Sequence, residues 1–372
     1  MSGNIFGTNF VIIPFGESHG KCVGVVLDGC PAGLKLDLEY IQAELNRRKP
    51  GQSNITTSRK EEDRFEILSG VFNGYTTGAP ITMIVENKDV DSSKYEKIKY
   101  TPRPGHADFT AWFKYGGFND YRGGGRFSGR ITISFVLAGA IAKQLLREIL
   151  QIEILAHTIA LGGIKLERDI TIDDIKRNRD QTPVRCADLN VAQKMIKRIE
   201  EVKQLGDSVG GIIEAICTNI PIGLGEPIFR NLESEISRIL FAIPAIKGIE
   251  FGAGFKAVNL LGSQHNDAFI LENNEIKTET NNAGGILGGI SNGMPIICRV
   301  VVKPTASIAI PQKTINLKSM TPTEIIVEGR HDPAIVPRAI PVVEACLAIV
   351  LTDFALQRRL IPPVLKQIKR NG

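Results

Sequence analysis

Aromatic residues are scarce in this chain of 372 residues, at 6%, with a single Trp and six Tyr. Proteins that grip single-stranded nucleic acid stack bases on aromatic side chains, so an RNA-binding reading of the Arg-Gly-rich segment 122–126 lacks its usual companions. Charge of one sign is also scarce. A net +5 from 45 basic and 40 acidic residues is too dilute for a nucleic-acid coat and suits an enzyme of acidic metabolites. Cys22, Cys30, Cys186, Cys217, Cys298 and Cys346 form no C-x-x-C pair and sit mainly in apolar runs such as IIEAICT and VVEACLAIV. They read as buried free thiols rather than disulfides or metal ligands. The opening MSGNIFGTNF is neither basic nor followed by a long apolar run. The longest apolar stretches are broken by Lys143, Arg147 and Glu148 or by Glu344, so none is expected to span a membrane. A cytoplasmic protein with neither nucleic acid nor membrane as partner is expected.

Glycine is plentiful, with 37 residues, and apolar residues make up 43%. Runs rich in β-branched residues at 23–29, 81–87, 209–218 and 296–303 predict buried strands, and FVIIPF before residue 16 predicts another. Helical periodicity covers 38–48, 134–150, 187–205 and 339–360, with Pro341 near the first turn of the last. This mixture predicts an α/β or α+β protein. Three echoes run in the same order: 24–34 with 211–224, 67–81 with 286–296, and 125–142 with 329–350. They predict one domain over 1–372 with duplicated halves, 10–150 and 208–355, joined by a helical segment; chance similarity of glycine-bounded strands is the alternative. The charged stretch 165–190 reads as a solvated connector.

The segment RPGHADFTAWFKYGGFNDYRGGGRFSGR at 103–130 carries the most chemistry. Arg103, Arg122, Arg126 and Arg130 offer guanidinium forks for phosphate or carboxylate. Gly123–Gly125 would let backbone N–H groups approach an anion, and His106 could protonate a leaving oxygen near neutral pH. The turn GESHG at 16–20 has the letters of a nucleophile elbow, but a strand follows it where a helix is required; a structural turn with a satisfied His19 is the other reading. RRKPGQSN at 47–54 pairs basic residues with a hydroxyl-rich loop. KPTASI at 303–308 resembles a phosphate-binding edge without being a Walker loop, and NNAGGILGGISNG at 281–293 lacks dinucleotide-binding spacing. In GRHDP at 329–333, Asp332 beside Arg330 should stay ionised.

Taken together, GESHGKCVGVVLDGCP, RPGHAD with GGGRFSGR, and GRHDPAIVPRAIPVVEACLAIVL closely resemble signature segments of the chorismate synthase family. RRKPGQ, LSGVFNGYTTGAPI, GDSVGG, GLGEP, NNAGGILGGISNG and KPTASI match the same family in order, so the resemblance spans residues 3–360. It implies an α+β fold in the form of a β-α-β sandwich, and usually a homotetramer. The implied activity is a 1,4-elimination of phosphate from 5-enolpyruvylshikimate 3-phosphate that requires reduced FMN without net redox change. An external flavin reductase or NADPH would supply the electrons. By the same resemblance, His19, His106, Ser18 and Asp332 are catalytic, and Arg48, Arg103, Arg130 and Arg330 bind substrate. Arg126, Phe127, Ser128, Ala245, Gly288, Lys303, Pro304, Thr305, Ala306, Ser307 and Arg330 fall on FMN-contact positions. Departures are Asn54 for an arginine, Phe127 for a serine, Gly129 for an alanine, Ile131 for a glutamate and Pro244 for an asparagine, with an extra glycine at 116–117. A lost charge-assisted bond at Asn54 costs roughly 1.5–3 kcal/mol unless Arg47 or Arg59 substitutes.

Overall fold

The computed structural model describes residues 3–51, 55, 62–88, 92–327 and 332–365. Strand β1 (Val11–Gly16) runs into the Glu17–Gly20 turn and returns as β2 (Cys22–Asp28). Val23, Val25 and Leu27 are fully buried, as alternation on one sheet face requires. Helix α1 (Leu38–Arg48) starts at Asp37, whose side chain accepts from Tyr40 N, and ends on Arg47 and Arg48, where cations suit the C-terminal dipole. Strands β3 (Phe65–Ile67) and β6 (Ile81–Glu86) flank a small hairpin of β4 (Val71–Phe72) and β5 (Tyr75–Thr76). The result is an antiparallel sheet ordered β1-β2-β6-β3. Two short helices, α2 (Ser93–Lys97) and α3 (Asp108–Lys114), then lead to the long α4 (Thr132–Leu150).

A second antiparallel sheet follows, built from β7 (Glu153–Leu161), β8 (Ile164–Lys165), β9 (Gly211–Thr218), β10 (Ile246–Phe251) and β15 (Ile296–Val302), in the order β10-β15-β9-β7-β8. Helices α5 (Ile172–Asn178) and α6 (Leu189–Gln204) interrupt it, and α7 (Leu232–Leu240) follows β9. A single turn, α8 (Gly262–His265), and the hairpins β11 (Phe269–Glu272) with β12 (Glu275–Thr278) and β13 (Ile286–Leu287) with β14 (Ile290–Ser291) lie between β10 and β15. After β15 come a hairpin of β16 (Gln312–Asn316) and β17 (Thr321–Ile325) and the last helix, α9 (Val336–Gln357). Helix α4 packs on β1, β2 and β7, and α9 packs on β7 and β9. The layers are therefore sheet, helices, sheet, which is the expected β-α-β sandwich.

The two central helices cross closely. A Cβ at Gly139 would stand 2.3 Å from Ala345 Cβ, so only glycine permits this approach. Helix α9 has the length and hydropathy of a membrane span, contrary to the sequence expectation, yet 89% of its most apolar window is buried inside the protein. It is a core helix. It begins three residues earlier than predicted, at Val336, which leaves Pro341 inside the helix rather than in its first turn. The missing N–H there removes one backbone bond.

The charged stretch 165–190 is not merely a solvated connector. Ile175, Val184 and Cys186 are fully buried, and Arg179 reaches a closed cluster of charges under α9. Glu344, with no exposed side-chain surface, accepts from Arg47 Nη1 at 2.7 Å, Lys143 Nζ at 2.7 Å and Arg179 Nη1 at 2.6 Å. Lys143 Nζ also bonds Glu44 Oε2 at 2.6 Å. Burial alone would raise the Glu344 pKa, but Arg47, Lys143 and Arg179 hold it well below the usual carboxylate range. The six cysteines are free, and burial pushes Cys30 and Cys298 up to about 12. Strand β7 precedes this stretch yet belongs to the second sheet, so 165–204 is an insertion within that sheet's sequence.

Candidate active site

A pocket of about 720 Å³ opens beside the entries to α4 and α9, within the size range of small-molecule sites. The C-terminal end of α1 supplies Arg48, and the loop before α3 supplies Arg103 and His106. The segment leading into α4 adds Arg126, Phe127, Ser128 and Arg130. The turn before β10 gives Ile243, Pro244, Ala245 and Lys247, the loop after β15 gives Lys303, Pro304, Thr305, Ala306 and Ser307, and the entry to α9 gives Asp332 and Arg338. Of the predicted site residues, Arg48, Arg103, His106, Arg126 to Ser128, Arg130, Ala245, Lys303 to Ser307 and Asp332 line this one pocket. Arg330 and Asn54 lie outside the described residues.

The glycine triplet does something other than cradle an anion. Gly123, Gly124 and Gly125 have φ of 58°, 83° and 52°, in the left-handed region that favours glycine. A Cβ at Gly123 would stand 2.3 Å from His19 Cδ2 and 2.9 Å from Ser18 Oγ; at Gly124 it would stand 3.1 Å from His106 Cε1 and Nε2. The triplet is thus a thin partition with the GESHG turn against Gly123 and the RPGHAD loop against Gly124. Gly125 fastens it, because its carbonyl accepts Ser18 N at 3.2 Å. Ser18 and His19 are buried and do not themselves line the pocket. His19 Nδ1 lies 2.9 Å from Ser92 Oγ, and its ring meets Tyr95 edge-on. β2 does continue after the turn, as the sequence indicated, so the helix a nucleophile elbow needs is missing here.

Each arginine in the pocket is oriented by the protein. Arg48 donates to Thr132 Oγ1 at 3.2 Å and Gly129 O at 2.5 Å. Arg130 pairs with buried Asp63 at 2.9 Å, bonds Asn87 Oδ1, and reaches Glu86 O at 3.3 Å. Arg103 grips Asp108 through Nε at 2.7 Å and Nη2 at 2.9 Å, and Ser307 Oγ through Nη1 at 3.1 Å. Asp332 pairs with Arg338, six residues on; Arg330, the neighbour expected to keep it ionised, lies outside the described residues. Arg338 also donates to Arg48 O at 3.2 Å, tying α9 to the end of α1.

Among the described residues, seven cationic side chains line the pocket against one lining carboxylate, Asp332, so the cavity suits an anion. Burial and the charges of Arg103 and Lys303 lower the His106 pKa below the ordinary imidazole value, although Asp108 pulls it the other way. Burial and Lys247 lower that of Lys303. Burial would raise Asp108, but hydrogen bonds from Arg103 and His106 outweigh it and hold the carboxyl far below its usual range.

FMN suits this donor set. Arg126, Lys247 and Lys303 offer cations for a phosphate, Thr305 and Ser307 offer hydroxyls, and Phe127, Ile243, Pro244 and Ala306 form an apolar flank for a flat ring. Gly288 stands apart. It turns the β13–β14 hairpin and is not among the lining residues. Sequence reasoning gave no role to Asp63, Asn87, Ser92, Asp108, Lys247 or Arg338. Only Asp108, inside RPGHAD, carried a local signal.

Comparison with known proteins converges. The chorismate synthase family model matches residues 10–356. A chorismate synthase from Dehalococcoides mccartyi is 54% identical over 98% of this chain and 100% of its own length. One from Methanococcoides burtonii is 52% identical over 99% of this chain and its full length. A crystal structure of chorismate synthase superposes with TM-score 0.76 at 31% identity, covering 95% of this chain and 93% of that one. With signature segments, sandwich and pocket in agreement, the chain belongs to the chorismate synthase family.

Proposed function

We propose that this pocket binds 5-enolpyruvylshikimate 3-phosphate and eliminates phosphate in a 1,4 sense to give chorismate, as a carbon–oxygen lyase of the shikimate pathway. The observation that carries the reading is His106, held by Asp108 and Arg103 inside a cation-lined pocket, in a chain that matches chorismate synthases end to end. The substrate bears two carboxylates and a phosphate. Arg48, Arg103 and Arg130 bind these anions, with Arg330 at the junction with the cofactor. His106 protonates the departing phosphate oxygen, which otherwise leaves as a more basic anion. Ser18 and Asp332 assist removal of the ring proton, and His19, as imidazolium, balances negative charge on the cofactor. Reduced FMN, when bound, lends electron density that weakens the C–O bond. Arg126 to Ser128, Ala245 and Lys303 to Ser307 hold it in place.

Anaerobic turnover of 5-enolpyruvylshikimate 3-phosphate with reduced FMN tests the reading, and no chorismate would refute it. The protein works in the cytoplasm as a homotetramer. Exposed apolar side chains on one stretch, Phe255, Val258, Leu261, Phe269, Leu271 and Ile276, support self-association. An outside reductase supplies the reduced flavin; reduction of FMN by NADPH and the purified protein alone would refute that. Duplication of the halves is supported by the sheets: β1-β2-β6-β3 and β7-β9-β15-β10 share order and antiparallel pairing, although β7 (Glu153–Leu161) lies ahead of the second half expected at 208–355.

A further inference from the structure

Asp108 holds His106 but has been given no function in the reaction, although it is in direct contact with the imidazole. Its Oδ1 lies 2.7 Å from His106 Nδ1. Oδ1 also accepts from Arg103 Nη2 at 2.9 Å, and Oδ2 accepts from Arg103 Nε at 2.7 Å and Arg103 N at 3.1 Å. A carboxylate held by these bonds cannot swing away, so His106 Nδ1 is committed to it. Nδ1 then carries the proton of the neutral ring, and Nε2 is the nitrogen turned to other partners. Gly124 lies against the Cε1–Nε2 edge without a side chain of its own.

The charges facing the ring come from several elements. Arg103 Nη2 sits 3.1 and 3.2 Å from the two ring nitrogens, within hydrogen-bond reach of both. Lys303, from the loop after β15, bonds Gly105 O at 2.6 Å. His19 lies across the glycine partition. Against these cations, Asp108 is the carboxylate in contact with the imidazole.

We propose that Asp108 is the positioning residue of His106, fixing Nδ1–H, directing Nε2–H at the leaving phosphate and keeping the ring protonatable among cations. The proposal rests on the reading of His106 as the acid. When the C–O bond breaks, its electron pair goes to the phosphate oxygen and the Nε2 proton moves onto that oxygen. His106 is left neutral, with Nδ1–H on Asp108, and the ring proton lost by the substrate passes to Asp332, the carboxylate that lines the pocket.

The test compares wild type with Asp108→Asn, which keeps an acceptor and removes the charge. Anaerobic kcat and KM are measured across pH, and His106 is titrated by NMR with and without inorganic phosphate. Loss of a contacting opposite charge should move the alkaline limb of kcat down by about one pH unit and lower kcat about tenfold above it. KM should rise by less than kcat falls, since Asp108 also orients Arg103 while Arg48 and Arg130 keep their own partners. Asp108→Glu should recover part of the rate. The NMR titration of His106 should fall in parallel, with the Nδ1–H tautomer no longer dominant. An unmoved limb and an unmoved titration in Asp108→Asn would overturn the proposal. Absence of turnover by wild type would overturn the proposed reaction instead, while the NMR titration still decides the link to Asp108. Should Asp108→Asn fail to fold, Asp108→Ser is read by the same titration, and an unmoved His106 again overturns it.

Discussion

Two buried groups of charges flank α9 and are built in opposite ways. Around Glu344 the carboxylate is enclosed by Arg47, Lys143 and Arg179, with Glu44 shared, and every element of the central layer contributes a member. Around the pocket, cations outnumber carboxylates, and Asp63, Asp108 and Asp332 orient arginines that still face the cavity. The first group is closed and serves the fold. The second is left short of negative charge, which a bound anion would provide. Buried arginine alone would not have told them apart; the balance of charge does.

The comparison breaks most sharply at Glu344. Glu344→Ala removes the fully buried partner shared by Arg47, Lys143 and Arg179, leaving Glu44 and Asp180 to face three cations, and should cost about 3–5 kcal/mol in denaturant unfolding. Because the Glu344 carboxyl is held below its ordinary 4.5, its stabilisation is present above that pH and is lost as pH falls below it. The variant should therefore show a flatter acid limb of stability. At the pocket, the effect should appear in rate instead. His106→Asn should lower kcat by roughly 10²–10⁴-fold with unfolding nearly unchanged; full activity would remove His106 as the acid.

Gly123→Ala tests the partition between the two histidines. A Cβ 2.3 Å from the His19 ring should destabilise by about 1–3 kcal/mol and shift the His19 NMR signals. Lys303→Met should have the smallest effect on folding, within about 0.5 kcal/mol. Lys303 helps to lower the His106 pKa, so its removal should move the His106 titration to higher pH, the opposite of Asp108→Asn. A shift in the same direction would contradict the electrostatic picture.

Much of the fold was legible because periodicity follows burial. Helix α1 runs over Leu38–Arg48 as its pattern predicts, and β2, β6, β9 and β15 fall within two residues of their apolar runs. Strand β7 escaped notice since His157 and Thr158 interrupt EILAHTIAL, though both are buried. The stretch 165–190 was misread because its charges neutralise partners on other elements rather than water: Arg179 meets Glu344, and Arg185 donates to Arg47 O at 3.0 Å. The same limit applied at the site. His106 and the arginines stood in recognisable motifs, whereas Asp63 acts through Arg48 and Arg130, partners that only folding brings near.

The central position of α9 also bears on how the chain is made. Residues 11–150 can pair the first sheet and lay α4 against it early in synthesis, but α9, which covers the remaining face of α4, follows every other helix and strand in sequence. Until it arrives, the most apolar surface in the molecule stands open, the condition under which large domains aggregate or need chaperones. Docking of α9 on α4, rather than the pairing of any one sheet, is then the step that completes the core.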